Sequence, residues 1–390
     1  MKIHALNPHH SPLSNRLCTV DPRGFQTSAK TGRSPSPPVI AICGFKNSGK
    51  TTLLEGVIPG LCNQGLAVAV IKHDAHGVQV DHQGKDSDRL FQVGADVLLH
   101  GPNETLARRH PSSVAGLEEA MEMLLGRNDV VLVEGHKETP LPKIWVHGPG
   151  STPAPPGVSD IGLELAWEAG RTPKATAWIL ERVHTAWRER RTNGVVLVGG
   201  ASRRMGRPKQ LVVYRGVTLS ERAVEAIHDA VENIVLAGSG PVPRPLESLP
   251  RLPDSPGMVG PLAGLLSVMR WAPDATWVVA ACDMPRVSSE AVAWLIAQRR
   301  PGVWAVMPRL RDGEVEPLLA VYEPQARPLL EAQAARGQWG PRRLAANDHV
   351  ICPTPPAELS AAWKNVNTPE EMASVSVSET SFRANSDSAH

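Results

Sequence analysis

Short apolar runs alternate with helix-length amphipathic segments along most of the chain, and the alternation occurs twice. Residues 174–190 carry apolar side chains at helical spacing and predict a helix that closes the first half. This alternation predicts the α/β fold class, with two tandem doubly wound units that are each built on a parallel sheet. The runs that predict strands are residues 39–43, 67–71, 129–133, 194–198, 233–237, 276–281 and 303–307.

Both ends of the chain are polar and lack any apolar periodicity. We expect a disordered leader at residues 1–37 and a disordered, serine-rich tail at 374–390. Between them, the pattern predicts a first unit at 38–191 and a second at 192–373. The prolines and glycines of 148–157 predict a loop or hinge.

Charge and composition exclude several classes of function. The 41 Lys and Arg residues nearly balance the 39 Asp and Glu residues, so the chain lacks the basic excess of a nucleic-acid-binding protein. The longest strongly apolar run, Leu66–Ile71, is far shorter than the roughly 18 residues of a membrane span. Five cysteines without CxxC spacing do not indicate a disulfide scaffold, and the N-terminus resembles no signal peptide. We therefore expect a cytoplasmic protein that binds neither nucleic acid nor membrane.

The first half contains a phosphate-binding loop. The predicted strand 39–43 is followed by GFKNSGKT and then by a helix, which is the GxxxxGK[ST] pattern in its required strand–loop–helix context. Backbone N–H groups would surround a polyphosphate, Lys50 would reach its β- and γ-phosphates, and Thr51 would hold Mg²⁺. The loop residues that we expect to contact GTP are Gly44, Asn47, Ser48, Gly49, Lys50, Thr51 and Thr52.

Two further features of the first half could bind a metal ion. Glu134 follows the predicted strand 129–133, where an acid can reach the Mg²⁺ of a P-loop protein; it could equally be a solvated acid at a strand end. His73, Asp74 and His76, with Asp81 and His82 beyond them, resemble a metal-ligand cluster. Such histidines are more often loop residues, so we expect no metal there.

The second half begins with a different glycine-rich loop. Gly199 and Gly200 follow the predicted strand 194–198, and no GK[ST] closes the loop. Four basic side chains then occur within seven residues, which indicates a second site for nucleotide phosphates rather than a structural turn. They are Arg203, Arg204, Arg207 and Lys209.

Polar residues follow later strands of the second half. Asp283 follows the strand 276–281, at the edge where open α/β sheets bind ligands. We expect it to hold Mg²⁺. Asp254 precedes a second glycine-rich turn, GPLAG at 260–264. Asn365 and Asn367 precede Thr368, the predicted N-cap of a last helix with Glu371 in capping-box register, and they could be turn formers.

These motifs resemble two known families. Residues 195–372 resemble the molybdenum cofactor guanylyltransferases, the MobA family, in LVGGASRRMGRPK, GPLAG, ACDMP and NVNTPEE. Residues 39–146 resemble the MobB family of P-loop GTP-binding adapters in GFKNSGKTTLL, IKHDAHG with VDHQGKDS, and VLVEGHK. The resemblance implies a fused protein whose second half has a Rossmann-like nucleotidyltransferase fold.

The resemblance also implies a reaction and its residues. The second half would transfer GMP from GTP to the terminal phosphate of molybdopterin and release pyrophosphate, with Mg²⁺ as cofactor. Molybdenum-insertion proteins and recipient molybdoenzymes would be the partners. The catalytic residues would be Lys209, Asp283 and Arg204. The GTP contacts would be Leu197, Val198, Gly199, Gly200, Lys209, Asp254 and Asp283, and the molybdopterin contacts Gly260, Gly264, Asn365 and Asn367.

The match departs from the family pattern at two points, and alternatives follow from them. Ala237 stands where the family has an asparagine that contacts the nucleotide, and the Met205–Lys209 loop is one residue shorter than in some members. The GPLAG turn favours GTP over CTP. One alternative is a transferase of the same fold that uses CTP or another acceptor; another is a GTPase-type metallochaperone or scaffold with an inactive transferase half.

Overall fold

A computed structural model describes residues 37–72, 81–110, 121, 124–150, 153–199 and 205–375 of the chain. The predicted leader and tail therefore lie almost entirely outside the described residues. The chain divides into two compact units, with the boundary between Thr185 and Ala186. Each unit contains its own sheet.

The first unit is a five-stranded, all-parallel sheet in the order β2-β5-β1-β6-β7. Its strands are β1 (Val39–Cys43), β2 (Val68–Lys72), β5 (Val130–Glu134), β6 (Lys143–Val146) and β7 (Ile161–Leu165), and β3 (Val97–His100) and β4 (Thr105–Arg108) form a separate antiparallel pair. Its helices include α1 (Lys50–Cys62), α2 (Asp86–Gln92) and α3 (Arg171–Arg188). The apolar faces of α1 and α3 pack on the sheet through residues such as Leu53, Leu61 and Ile179, all buried.

The segment 148–157 lies inside the first unit and connects β6 to β7. Its described residues, 148–150 and 153–157, form neither helix nor strand, and β7 continues the same sheet beyond them. The sequence does not predict β7, because IGLEL is short, contains a glycine and buries only Leu165 fully. Helix α3 follows at 171–188, close to the predicted 174–190.

The second unit has a seven-stranded sheet in the order β12-β11-β8-β13-β15-β14-β16. The strands are β8 (Thr192–Leu197), β11 (Asn233–Ala237), β12 (Arg251–Leu252), β13 (Thr276–Ala281), β14 (Ala305–Val306), β15 (Leu319–Tyr322) and β16 (Val350–Ile351), with β9 (Val213–Tyr214) and β10 (Val217–Thr218) as a separate pair. The helices are α4 (Leu219–His228), α5 (Pro261–Trp271), α6 (Ser289–Ala297) and α7 (Ala326–Ala335); residues 369–375 are also helical. Buried apolar clusters lie on both faces of this sheet.

The second sheet is mixed: β12, β11, β8 and β13 form the predicted parallel part, and β15 departs from it. Strand β15 runs antiparallel to both β13 and β14. The connection from β14 to β15 is a hairpin in which Arg309 and Val315 form an antiparallel bridge, and a hairpin can join only antiparallel strands. The carboxyl edge of the parallel part is unaffected, because β11, β8 and β13 are mutually parallel and end together.

Among the described residues, no helix is long and apolar enough to cross a membrane. The four cysteines in this part of the chain, Cys43, Cys62, Cys282 and Cys352, are free thiols.

Candidate functional site

The loop between β1 and α1 has the backbone conformation of a phosphate-binding loop. Asn47 and Gly49 adopt left-handed conformations, with φ of 62° and 79°. The side chain of Lys50 turns back over the loop, and its Nζ donates hydrogen bonds to the carbonyl oxygens of Gly44 (3.2 Å) and Phe45 (2.8 Å). The ammonium group is thus held by the loop itself, next to the N-terminus of α1, where backbone amides and the helix dipole favour an anion.

Glycine at position 44 is needed for close packing. A Cβ there would come within 2.4 Å of the carbonyl oxygen of Val146 and 2.5 Å of Ser48 Oγ. Ser48 is fully buried, and its hydroxyl has no hydrogen-bond partner among the residues that the structure describes. Thr52, in contrast, is exposed on the first turn of α1.

The structure brings together Thr51 and Glu134, the two residues predicted near Mg²⁺ in this unit. Thr51 Oγ1 donates a hydrogen bond of 2.9 Å to Glu134 Oε1. Glu134 ends β5, the strand beside β1, and its carboxylate also lies 3.8 Å from Lys72 Nζ. A hydroxyl and a carboxylate at this distance are oxygen donors of the kind that Mg²⁺ prefers.

Two residues beside the loop escaped the sequence analysis. Arg171, in the first turn of α3, donates a hydrogen bond of 3.3 Å from Nη1 to the carbonyl oxygen of Ser48. Its guanidinium lies over the ring of Trp167, 4.5 Å from the centroid, and Trp167 is half exposed. They follow β7, and without that strand the sequence offered no reason to place them near the loop.

The histidine-rich segment 73–80 lies outside the described residues, so the structure does not bear on its central histidines. Asp81, at its edge, accepts a hydrogen bond from Ser87 and forms an ion pair with Arg108 at 3.3 Å. Within the described ranges, no three His, Cys, Asp or Glu side chains are grouped as a metal site would require.

The second unit joins residues from three distant segments into one polar cluster. Lys209 Nζ donates hydrogen bonds to Asp283 Oδ2 (3.1 Å) and to Asn367 Oδ1 (2.8 Å). Lys209 follows the first loop and Asp283 follows β13. The backbone N–H of Val366, between the two asparagines, donates to the carbonyl oxygen of Asp283 at 2.8 Å, which fixes the asparagine segment against that strand end.

A cavity of about 290 Å³ opens beside this cluster at the carboxyl ends of β8, β11 and β13. Most of the residues predicted to bind nucleotide or molybdopterin line it, and Asn365 and Asn367 are not among the lining residues. The predicted residues that line the cavity are Leu197, Val198, Gly199, Lys209, Asp254, Gly260, Gly264 and Asp283. Gly200 and Arg204 lie outside the described residues.

The cavity depends on small residues. A Cβ on Gly264 would lie 3.1 Å from Leu197 Cδ2 and 3.4 Å from both Ala237 Cβ and Asp254 Oδ1. Ala237, where the family has asparagine, is itself buried in the wall. This wall therefore presents an apolar methyl group to the cavity, and hydrogen bonds to any ligand there must come from other groups.

A buried carboxylate that the sequence analysis missed holds the asparagine segment. Glu316 is 5% exposed; its Oε2 accepts a hydrogen bond of 3.0 Å from Asn365 Nδ2, and its Oε1 accepts one of 2.8 Å from the backbone N–H of Leu318. Burial, with a smaller contribution from Asp283, raises the pKa of the Glu316 carboxyl. No motif surrounds Glu316, so only the folded contacts could reveal it.

The capping residues at the end of the same segment are confirmed. Thr368 Oγ1 accepts a hydrogen bond from the backbone N–H of Glu371, and the Glu371 carboxylate returns to the backbone N–H of Asn367 at 2.6 Å. In a standard capping box the Glu371 carboxylate would accept from the backbone N–H of the N-cap residue, Thr368. Here it accepts from the N–H of the residue before it. It immobilises the backbone from which Asn367 reaches Lys209.

The cluster around Asp283 fits a bound Mg²⁺. One carboxylate oxygen is engaged by Lys209, while the other, Oδ1, is buried and has no hydrogen-bond partner among the described residues. A buried, unpaired carboxylate oxygen is costly unless a cation satisfies it, and carboxylate oxygens are hard ligands suited to Mg²⁺. Burial raises the pKa of the neighbouring Cys282 thiol to about 12, so that side chain is no nucleophile.

Fold and sites together define a P-loop nucleotide-binding unit followed by a nucleotidyltransferase unit. Comparison with known proteins agrees. A model of the family "Molybdopterin guanine dinucleotide synthesis protein B" matches residues 39–160, and a model of the "MobA-like NTP transferase domain" matches residues 194–351.

Three relatives illustrate the similarity. A molybdopterin-guanine dinucleotide biosynthesis adapter protein of Haemophilus influenzae is 38% identical over 133 residues, which are 33% of this chain and 74% of that protein. A probable molybdenum cofactor guanylyltransferase of Bacillus mycoides is 32% identical over 186 residues, 46% of this chain and 92% of that protein. A molybdenum cofactor biosynthesis bifunctional protein of Synechocystis is 32% identical over 183 residues, 46% of this chain and 52% of that protein.

The chain therefore belongs to the MobB family in its first unit and to the MobA-like nucleotidyltransferases in its second, joined in one polypeptide. The resemblance derived from the motifs is confirmed at this level.

Proposed function

We propose that the second unit transfers GMP from GTP to the terminal phosphate of molybdopterin and releases pyrophosphate. The observation that carries the proposal is the Lys209–Asp283–Asn367 cluster at the mouth of the cavity. It combines a cation for phosphate oxygens with a carboxylate for Mg²⁺, at the sheet edge where α/β proteins bind nucleotides. The guanylyltransferase name of the B. mycoides relative supports GTP as the donor.

The chemistry requires positioning and charge neutralisation. A phosphate monoester has a second pKa near 6, so the acceptor is largely a dianion at pH 7 and no general base is needed. Its oxygen attacks the α-phosphorus of GTP, a P–O bond forms, and the bond to the leaving pyrophosphate breaks. Lys209 stabilises the charge that develops on the phosphate oxygens, while Asn367 and Asp283 hold its ammonium group in place.

When bound, Mg²⁺ would neutralise charge on the transferred and leaving phosphates. Asp283 would hold it here. The amides of the Gly199–Gly200 loop, Asp254 and Arg204 complete the donor site in this proposal, and Leu197 and Val198 lie beneath the nucleotide. Molybdopterin would lie along Gly260, Gly264, Asn365 and Asn367.

In the same proposal the first unit binds GTP and Mg²⁺ at its phosphate loop and acts as an adapter. Its support is the Lys50 and Thr51–Glu134 geometry and the adapter name of the H. influenzae relative. Its partners would be molybdenum-insertion proteins and recipient molybdoenzymes. Free thiols suit the reducing cytoplasm in which we expect it to work.

One assay tests the reaction and its nucleotide. Purified protein is mixed with molybdopterin, Mg²⁺ and either GTP or CTP, and pyrophosphate release is measured. We expect a higher kcat/KM for GTP, with release that depends on molybdopterin, because backbone groups around the cavity can read the guanine edge where Ala237 cannot. Equal values, or a preference for CTP, would indicate the CTP-using class; no release with either nucleotide would indicate an adapter or scaffold with an inactive transferase unit.

A further inference from the structure

Trp167 and Arg171 form an ordered surface beside the phosphate loop. The proposed reaction does not use this surface. A Cβ on Gly49 would come within 3.2 Å of Trp167 Cζ3 and 2.6 Å of Arg171 Nη2, so both side chains pack directly on the loop backbone. Half of the indole nevertheless remains exposed. An exposed Trp is an unusual cover for a polar loop, because its large apolar area stays in contact with water.

The position of this pair in the sheet points to a ligand. Strand β7 lies two places from β1, with β6 between them, and all three strands are parallel. Their carboxyl ends therefore open onto the same crevice, which is where open α/β sheets bind ligands. A nucleotide whose phosphates lie in the Gly44–Thr51 loop must direct its base to some part of that edge.

Arg171 fixes the orientation of the ring. Its guanidinium covers one face of Trp167, with Cζ 4.5 Å from the ring centroid, while Nη1 is hydrogen-bonded to the carbonyl oxygen of Ser48. The indole is thereby immobilised before any ligand arrives. A pre-oriented aromatic surface can stack a base with little loss of side-chain entropy.

We propose that Trp167, held by Arg171, is the stacking platform for the base of the nucleotide bound at the phosphate loop. The inference rests on the proposed binding of GTP by the first unit and deepens it. The platform contributes affinity and not base choice, because every purine has a π-face and stacking reads no hydrogen-bonding edge. Arg171 is a positioning residue.

The test is a calorimetric titration of the full chain, with Lys209→Ala introduced in every variant so that the transferase site contributes little GTP binding. The titrants are Mg²⁺ with GTP, ATP or inorganic tripolyphosphate. Trp167→Ala should weaken GTP and ATP binding by a similar factor of about ten or more, which corresponds to ~1.4 kcal/mol. It should leave tripolyphosphate binding within about twofold, since tripolyphosphate has no base. Trp167→Phe should restore most of the loss.

Trp271→Ala is the matched control, because Trp271 is also a partly exposed tryptophan but lies in the second unit. Trp271→Ala should bind all three titrants with the same affinities as the chain that carries Lys209→Ala alone. An equal loss of affinity for GTP and for tripolyphosphate in Trp167→Ala would show that the ring only stabilises the loop. Unchanged affinity for GTP would show that the base lies elsewhere. Either result overturns the platform. If Lys50→Ala does not change GTP binding to the parent chain, the proposed function of the first unit fails instead.

Discussion

Each unit presents a lysine at a glycine-rich loop, but the two lysines are held in different ways. Lys50 is hydrogen-bonded to carbonyl oxygens five and six residues before it. Lys209 is bonded to Asp283 and Asn367, 74 and 158 residues away in sequence. The lysine of the first site is held locally, by backbone carbonyl groups of its own loop; the lysine of the second is held by side chains that the fold brings from distant segments.

This difference has a functional meaning. A local backbone cradle with the helix dipole is suited to binding a polyphosphate. A lysine fixed between a carboxylate and an amide, with one carboxylate oxygen left for a cation, is suited to stabilising a transition state, because its charges are oriented before the reaction. In the proposed function the first unit therefore binds nucleotide and the second unit transfers GMP, and each of the following predictions tests this division.

The largest effect is expected at Asp283. Asp283→Ala removes both the partner of Lys209 and the proposed Mg²⁺ ligand, so the rate of pyrophosphate release should fall about 100-fold or more, equivalent to ~2.7 kcal/mol. Asp283→Asn is the control of similar shape and should be nearly as slow, because the negative charge is what is needed. A variant with more than about a tenth of the wild-type turnover would remove Asp283 from this role.

A smaller effect is expected at Asn367. Asn367→Ala deprives Lys209 of its amide acceptor, and we expect kcat to fall about tenfold (~1.4 kcal/mol), within the range for a hydrogen bond to a charged group. Asn365→Ala is the companion variant, because that amide is bonded to Glu316 and not to Lys209. A rise in KM for molybdopterin with kcat unchanged in Asn367→Ala would mean that Asn367 only contacts the acceptor.

The two sites also differ in how far the sequence predicts them. Gly44–Thr51 is one continuous motif, so its conformation and its lysine follow from residues next to each other. Glu134 could be predicted because it ends a strand that is apolar throughout. Trp167 and Arg171 could not, because their position depends on β7, whose pattern is weak.

In the second unit, the sequence predicts which residue types are present but not how they pair. Asp283 and Lys209 are recognisable at a strand end and after a glycine loop, whereas their contact is created by the sheet. The resemblance implies that Asn367 contacts molybdopterin, whereas its hydrogen bond to Lys209 could be found only in the structure. No motif surrounds Glu316. The antiparallel direction of β15 follows from its hairpin with β14, and the sequence could not show it because β14 is short and β15 was not predicted.

Glu316 should give a modest, pH-dependent effect on stability. Its pKa is raised in the folded state by burial, so the folded protein binds this proton more tightly than the unfolded chain. The stabilisation is complete below the unfolded pKa and is lost as the pH rises through the folded pKa. Wild type should therefore gain stability relative to Glu316→Gln as the pH is lowered from 7.5 to 4.5, the ordinary pKa of the carboxyl, by at most ~1.4 kcal/mol per pH unit.

Calorimetric unfolding of the second unit at the two pH values measures this difference. Glu314→Gln, at an exposed carboxylate two residues away, is the control and should show no comparable dependence on pH. A stability difference between wild type and Glu316→Gln that stays constant across this range would contradict the raised pKa.

The smallest effect on transfer is expected at Lys50, and it tests the division of work most directly. Lys50→Ala removes the cation of the first phosphate loop and should abolish GTP binding there, while Lys209 and Asp283 are untouched. The measurement is the rate of pyrophosphate release by the purified variant at saturating GTP and molybdopterin. The account predicts a rate within about twofold of wild type (~0.4 kcal/mol); a fall comparable to that of Asp283→Ala would show that the phosphate loop takes part in the transfer, and the separation of binding unit from transferring unit would be wrong.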